Sequence, residues 1–168
     1  MPTINISLSQ GSVAQAREQL QDVKQWLIDK NAEFVKRLAE HGIPVIDRQI
    51  ALAQGDSDKT HYTHVKVVSY QTYAQATLVV DGKDILFLEY GAGITYNKGE
   101  AHPFASQHGY GVGTYNPSSN NAFNPKGWWY RDGNGLHHSF GTEATMPVYR
   151  AYSSIIENVK QIASEVFK

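Results

Sequence analysis

The chain has 168 residues, no cysteine, and 15 basic against 16 acidic side chains, which give a formal charge of −1. A chain of this length can bury one sizeable core, so we expect a single domain over residues 1–168. The lack of cysteine excludes disulfides, thiol catalysis and cysteine-ligated metals, and the lack of a Lys/Arg block disfavours nucleic-acid binding. The N-terminus shows no leader pattern and no stretch reaches membrane-span length, so we expect neither a secretion signal nor a membrane anchor.

A long helix is predicted after Gly11. Ser12, with Gln15 three residues on, has the pattern of a capping box. Gly42 and Pro44 are predicted to end the helix, and residues 46–53 to add a short second one. An apolar stripe along this helix is expected to cover the chain's own sheet, with a coiled coil or a partner-bound helix as the alternative. Its apolar positions recur at steps of three, four or seven, and they are Val13, Ala16, Leu20, Val23, Leu27, Phe34 and Leu38.

Strands are predicted in the next third of the chain. Apolar and polar residues alternate around positions 65–67 and 73–80, as in half-buried antiparallel strands. An Asp-Gly pair at positions 81–82 is typical of a hairpin turn, so residues 83–90 are predicted to form the second strand of that hairpin. Glu89 and Tyr90 then mark the end of this strand. Gly91 and Gly93 permit positive φ or a close approach of the backbone.

Residues 91–141 form a long excursion rich in glycine and aromatic residues. They hold ten of the fourteen glycines, whereas Ile94, Val112 and Leu136 are their only Leu, Ile or Val residues. Such a segment cannot bury a core of its own. Tyrosine with Gly, Ser and Asn is typical of adaptable binding surfaces, and a flexible linker is the alternative. Residues 127–130 and 136–140 flank a turn and predict a second hairpin.

The C-terminal residues predict a last helix. Pro147 fits the first turn, and an apolar stripe runs from there to Phe167. Together these elements predict an α+β fold. Its central antiparallel sheet would be packed by a long N-terminal helix and a C-terminal helix, with the Gly/Tyr-rich segment as a loop insertion.

Side chains with catalytic potential give only weak signals. Seven histidines are present, but none lies in a zinc-protease motif, and adjacent residues His137 and His138 would point to opposite faces of a strand. Glu89, His102 and His137 could still meet in three dimensions, which leaves open a small metal-dependent or cell-wall hydrolase. No cofactor-binding motif is present.

An aromatic run offers a third interpretation. Trp128, Trp129 and Tyr130 could bind a carbohydrate, because flat aromatic faces pack well against other surfaces. A glycan-binding module is therefore a further alternative. Packing at the far end of the core is the simplest account of the same tryptophans.

Five segments in order resemble the tail-completion family of tailed phages, whose members are also labelled minor tail components, minor capsid proteins or neck proteins. The resemblance covers roughly residues 12–168. Many relatives carry an Ala-Pro-x-Asp-Thr-Gly element after the first helix, which this chain replaces with residues 42–47. The matching segments are FLEYGAGI (87–94), HP (102–103), GVGTY (111–115), GWWY (127–130) and ATMPVYRA (144–151).

The resemblance implies a virion structural protein without enzymatic activity. Such a protein would be assembled in the host cytoplasm and would form a ring between the head connector and the tail tube. Its partners would be further copies of itself, connector or head-closure proteins, and tail terminator or tail tube proteins. DNA would pass through without specific binding. The candidate contact residues between subunits are Glu89, Tyr90, Gly91, Gly93, Tyr110, Tyr115, Trp128, Trp129 and Tyr130.

Overall fold

A computed structural model of the protein describes residues 10–54, 57–93, 101–111 and 127–168. In this part of the chain the fold class is α+β, as predicted, and its antiparallel strands form two two-stranded sheets. The elements, in chain order, are α1 (Gln10–Leu52), β1 (Tyr62–Ser69), β2 (Ala74–Asp81), α2 (Ile85–Tyr90), a 3₁₀ turn (Ser106–His108), β3 (Trp128–Asp132), β4 (Gly135–Ser139) and α3 (Pro147–Val166).

These elements are distributed over two compact units. Unit one contains the described residues up to 41, together with 64–79 and 155–168. Unit two contains the described residues within 42–63 and 80–154. Both α1 and α3 therefore contribute residues to each unit.

Unit one combines the first part of α1, most of the β1–β2 hairpin and the end of α3. The ring of Phe167 packs against Trp26 at 6.4 Å and against Phe34 at 5.7 Å between centroids. Arg37 and Glu165 form an ion pair at 2.5 Å. Aromatic packing and an ion pair thus join α1 to the end of α3 in this unit.

The inward face of α1 differs from the predicted stripe. Ala16 is buried, whereas Val13, Leu20 and Leu27 are exposed by 59, 54 and 44%. The spacing of seven places these three side chains on one line of the helix, beside the line that faces inward. The prediction that all of the stripe covers the sheet is therefore wrong for these positions.

The first helix also extends beyond its predicted end. It continues through Gly42 and Pro44 to Leu52, and the separately predicted helix at residues 46–53 is its last part. Ile46 and Ile50, each 1% exposed, are buried in unit two. Burial of Ile46 and Ile50 outweighs the loss of the backbone hydrogen bond that Pro44 cannot donate, because proline has no N–H. The predicted capping box is wrong as well, because Ser12 lies inside a helix that begins at Gln10.

Residues 85–90 form a helix and not the predicted strand. Ile85, Leu88 and Glu89 are buried while Leu86 is exposed, which is the period of a helix. A short apolar run fits either structure, and the tertiary packing of unit two decides between them. The predicted Asp-Gly hairpin is therefore wrong. Gly82 instead allows a close approach, because a Cβ there would lie 2.7 Å from the Thr60 carbonyl oxygen.

The second hairpin is confirmed. β3 and β4 pair antiparallel, with Trp129 opposite His138 and Asp132 opposite Gly135. The turn therefore falls at Gly133 and Asn134, as the Gly-Asn-Gly pattern predicts. Across the described residues, no helix combines the length and apolar character that a membrane span requires.

Candidate functional site

The beginning of α3 is capped by a carboxylate from α2. One Glu89 oxygen accepts the Val148 N–H at 2.7 Å, and the other accepts the Tyr149 N–H at 2.9 Å. The first backbone hydrogen bond of α3 runs from the Arg150 N–H to the Met146 carbonyl, so Met146 occupies the N-cap position. A methionine thioether is only a weak acceptor, and Glu89 accepts these amide protons in its place. Its negative charge also lies at the positive end of the helix dipole.

His102 holds the same carboxylate from another side. Its Nε2 lies 3.1 Å from Glu89 Oε1, and the two side chains are only 4 and 7% exposed. Its Nδ1 accepts the N–H of Phe104 at 3.1 Å. Because Nδ1 is an acceptor, both contacts are satisfied by a neutral imidazole whose proton is on Nε2. His102 therefore ties the segment at 101–111 to the carboxylate that caps α3.

Backbone hydrogen bonds join the same segments. The Leu88 carbonyl accepts the N–H groups of Thr145 at 2.9 Å and Met146 at 3.2 Å. Ala92 and Thr142 exchange two backbone hydrogen bonds, of 3.0 and 2.8 Å, in an antiparallel bridge. Residues 88–92 and 142–146 are therefore fixed to each other beside the N-terminus of α3.

Glycines allow this close backbone packing. Gly91 and Gly93 have φ values of 75° and 74°, so positive φ, the first of the two predicted reasons for glycine at these positions, is confirmed. Gly141, with φ of 100°, is more tightly constrained, because a Cβ there would lie 2.2 Å from the Ala92 carbonyl oxygen. Only a residue without a side chain fits at position 141 in this backbone.

An aromatic cluster surrounds the buried Glu–His pair. The ring of Tyr90 contacts His102 at 4.6 Å, His108 at 5.1 Å and Tyr110 at 5.2 Å between centroids. Burial raises the pKa of the Tyr90 hydroxyl above its ordinary value, and the negative charge of Glu89 adds to this effect. Tyr149 packs on His102 at 5.2 Å and is 37% exposed, so the cluster reaches the surface.

The structure brings part of the predicted contact residues together. Glu89, Tyr90, Gly91 and Tyr110 all belong to this network, in which the Gly111 N–H also donates to the Gly91 carbonyl. Gly93 follows one residue beyond the Ala92 bridge. The sequence did not reveal Gly141 or Thr142, since neither carries chemistry of its own. The sequence predicted that α3 starts at Pro147, but it did not predict that Glu89 caps this helix.

The predicted aromatic run lies on the β3–β4 hairpin. Trp129 is 60% exposed and its ring packs on His138 at 4.7 Å. The backbone of Trp128 pairs with Ser139, and that of Tyr130 pairs with His137. Tyr115 lies outside the described residues.

Glu89 and His102 are thus neighbours, as the hydrolase alternative requires. Both Glu89 oxygens accept backbone protons, and both His102 nitrogens are hydrogen-bonded. Within the described ranges, no three His, Asp or Glu side chains are grouped so that they could hold a metal ion.

Comparisons of the chain with known protein families, with curated proteins and with solved structures found no match.

Proposed function

We propose that the protein is a structural subunit of the head–tail junction of a tailed phage or a related particle. In this proposal it assembles into a ring that joins the head connector to the tail tube. The single observation that carries the proposal is the convergence of the resembling segments on one network. Residues 88–92, 102–104, 110–111 and 145–149 are far apart in sequence and are joined by direct contacts.

The surface near these segments supports a role in assembly. Phe104, Trp129, Tyr149 and Tyr152 are exposed by 47, 60, 37 and 61%. Large aromatic side chains on a surface are typical of protein–protein contacts, where they are the residues that most often dominate the binding energy. We infer that residues 91–141, together with the start of α3, contact neighbouring subunits.

The cap of α3 has a defined place in this proposal. A buried carboxylate that holds three segments together keeps their aromatic side chains in a fixed arrangement before a partner binds. Pre-organisation of this kind lowers the entropy lost on binding. Glu89 is then a positioning residue for the contact surface, and not a proton donor or acceptor in a reaction.

The test is the number of copies of this chain per purified particle, measured by quantitative mass spectrometry. A ring requires a fixed copy number that matches one ring at the junction. Absence from particles, or variable trace amounts, would contradict the proposal. In that case hydrolase assays on the wild type and on Glu89→Gln would test the next hypothesis.

A further inference from the structure

A groove lies in unit one between α1 and the β1–β2 turn. One wall is α1, with Leu20, Val23 and Leu27, and the other wall is the β1–β2 turn, with Tyr70 and Tyr73. Its volume is about 340 Å³ and its lining is mostly apolar. All the residues that line it belong to unit one.

Both walls expose large apolar side chains. Leu20 and Leu27 are exposed by 54 and 44%, and Tyr70 and Tyr73 by 43 and 54%. The two tyrosine rings are stacked at 4.3 Å with an angle of 18° between their planes, and a backbone hydrogen bond of 2.8 Å closes their turn. The tyrosine wall is therefore held in place, and a partner could pack on it with little loss of side-chain entropy.

The charge in the lining of the groove is positive. Lys24 is the only charged residue among those described in the lining, and the exposed Arg17 lies two turns earlier on the same line of α1. The acidic residues Glu18, Asp22 and Asp29 lie about 160–200° around the helix from Leu20, at 100° per residue. A basic partner would meet like charge here, whereas an acidic one would find its counter-charge.

The size of the groove suits a short helix. Leu20 and Leu27 are seven residues apart, which is about 10 Å or two helical turns along α1. A helix in such a groove is anchored by apolar residues at positions i, i+3 or i+4, and i+7. An extended partner strand would instead need an unpaired strand edge along the groove. The walls of this groove are formed by side chains of a helix and of a turn, so they favour a helical partner.

We propose that this groove binds an acidic amphipathic helix of another protein. Leucine-like side chains of that helix would fill the space between α1 and the two tyrosines. Its acidic residues would pair with Lys24 and Arg17. This contact surface is separate from the one proposed above and does not depend on the position of the protein in a phage particle.

The experiment uses two synthetic amphipathic peptides of 15 residues with the same leucine face, one flanked by glutamates and one by lysines. Fluorescence anisotropy with the full-length protein measures both affinities. The acidic peptide should bind at least about tenfold more tightly than the basic peptide. This ratio corresponds to one favourable glutamate–Lys24 pair in place of one repulsive lysine–Lys24 pair. Lys24→Glu should remove this preference.

Variants of the apolar walls locate the binding site. Leu20→Ser with Leu27→Ser should abolish binding of the acidic peptide. Leu136→Ser is the matched control, because Leu136 is 59% exposed in unit two, and it should leave binding unchanged. Circular dichroism and urea melts confirm that each variant is folded. All three leucines are exposed, so each variant is expected to fold.

Three results would overturn the proposal. The first is that neither peptide binds. The second is that both peptides bind equally and Lys24→Glu has no effect. The third is that the Leu20/Leu27 variant still binds the acidic peptide. A concentration-dependent doubling of mass in sedimentation that the Leu20/Leu27 variant loses would assign the groove to a second copy of the chain. The copy number per particle is measured separately, so failure of either proposal leaves the other open to its own test.

Discussion

Replacement of Glu89 by glutamine tests whether the buried carboxylate is a structural cap. The side chain has the same size in both forms, and only one oxygen and the negative charge are lost. In the wild type this carboxylate accepts protons from the Val148 amide, the Tyr149 amide and the His102 imidazole, at 2.7, 2.9 and 3.1 Å. The glutamine NH₂ group would face one of these donors, so at least one buried proton would lose its acceptor.

The expected loss of stability follows from these contacts. One buried donor without a partner costs about 1–3 kcal/mol. The lost interaction with the dipole of α3 adds about 1 kcal/mol. We therefore expect Glu89→Gln to lower the free energy of unfolding by about 2–4 kcal/mol, and Glu89→Ala, which leaves all three donors unpaired, by about 3–5 kcal/mol.

Urea denaturation at neutral pH measures these changes, provided that the slope of the free energy against urea stays constant. Amide hydrogen exchange at Val148 and Tyr149 shows whether the loss lies at the start of α3. Glu157→Gln is the matched control, because Glu157 is exposed on the same helix. If Glu89→Gln were as stable as this control, the cap would not contribute as argued, and a chemical role for Glu89 would regain support.

Three further predictions concern other positions. Gly141→Ala should lower the free energy of unfolding by at least about 2 kcal/mol in urea melts, because its Cβ would collide with the Ala92 carbonyl, whereas Gly133→Ala, with open space at its Cβ, should change it by less than about 1 kcal/mol. Trp129→Ala should change stability by less than about 1 kcal/mol, since the side chain is 60% exposed, yet should reduce the yield of complete particles counted by electron microscopy; full yield would contradict its role as a contact residue. The hydrogen bond of His61 to the Lys59 carbonyl, together with the nearby Asp47 carboxylate, raises the pKa of His61. The resulting stabilisation is therefore complete below pH ~6.5 and is lost as pH rises through the folded-state pKa, so urea melts from pH 5.5 to 8.5 should show a decline that Asp47→Asn reduces.

The sequence alone determined the elements whose signals are local. The β3–β4 turn was predictable because Gly133 and Asn134 sit between two short strands, and only a few residue types favour such a turn. The start of α3 was predictable because the first turn of a helix is the position that proline fits best, since its missing N–H has no partner there anyway. The positive φ values at Gly91 and Gly93 were predictable because glycine alone adopts them without strain.

Tertiary structure decided the elements whose local signals conflict. Residues 85–90 are apolar enough for a strand or a helix, and packing of Ile85 and Leu88 in unit two selects the helix. Gly42 and Pro44 predict a helix end, yet burial of Ile46 and Ile50 carries α1 past them. Local propensities differ by about 1–3 kcal/mol, so the burial of two large side chains can outweigh them.

The candidate site depends on tertiary structure most of all. Glu89 stood out in the sequence as a polar residue at the end of an apolar run. Its partners, His102 and the amides of Val148 and Tyr149, are 13 and about 60 residues away in the chain. No periodicity or spacing encodes such a contact, because it forms only when separate segments are brought together by burial of their apolar neighbours. The sequence determined which side chains could meet at the start of α3, and only the fold decided that they hold a helix cap together.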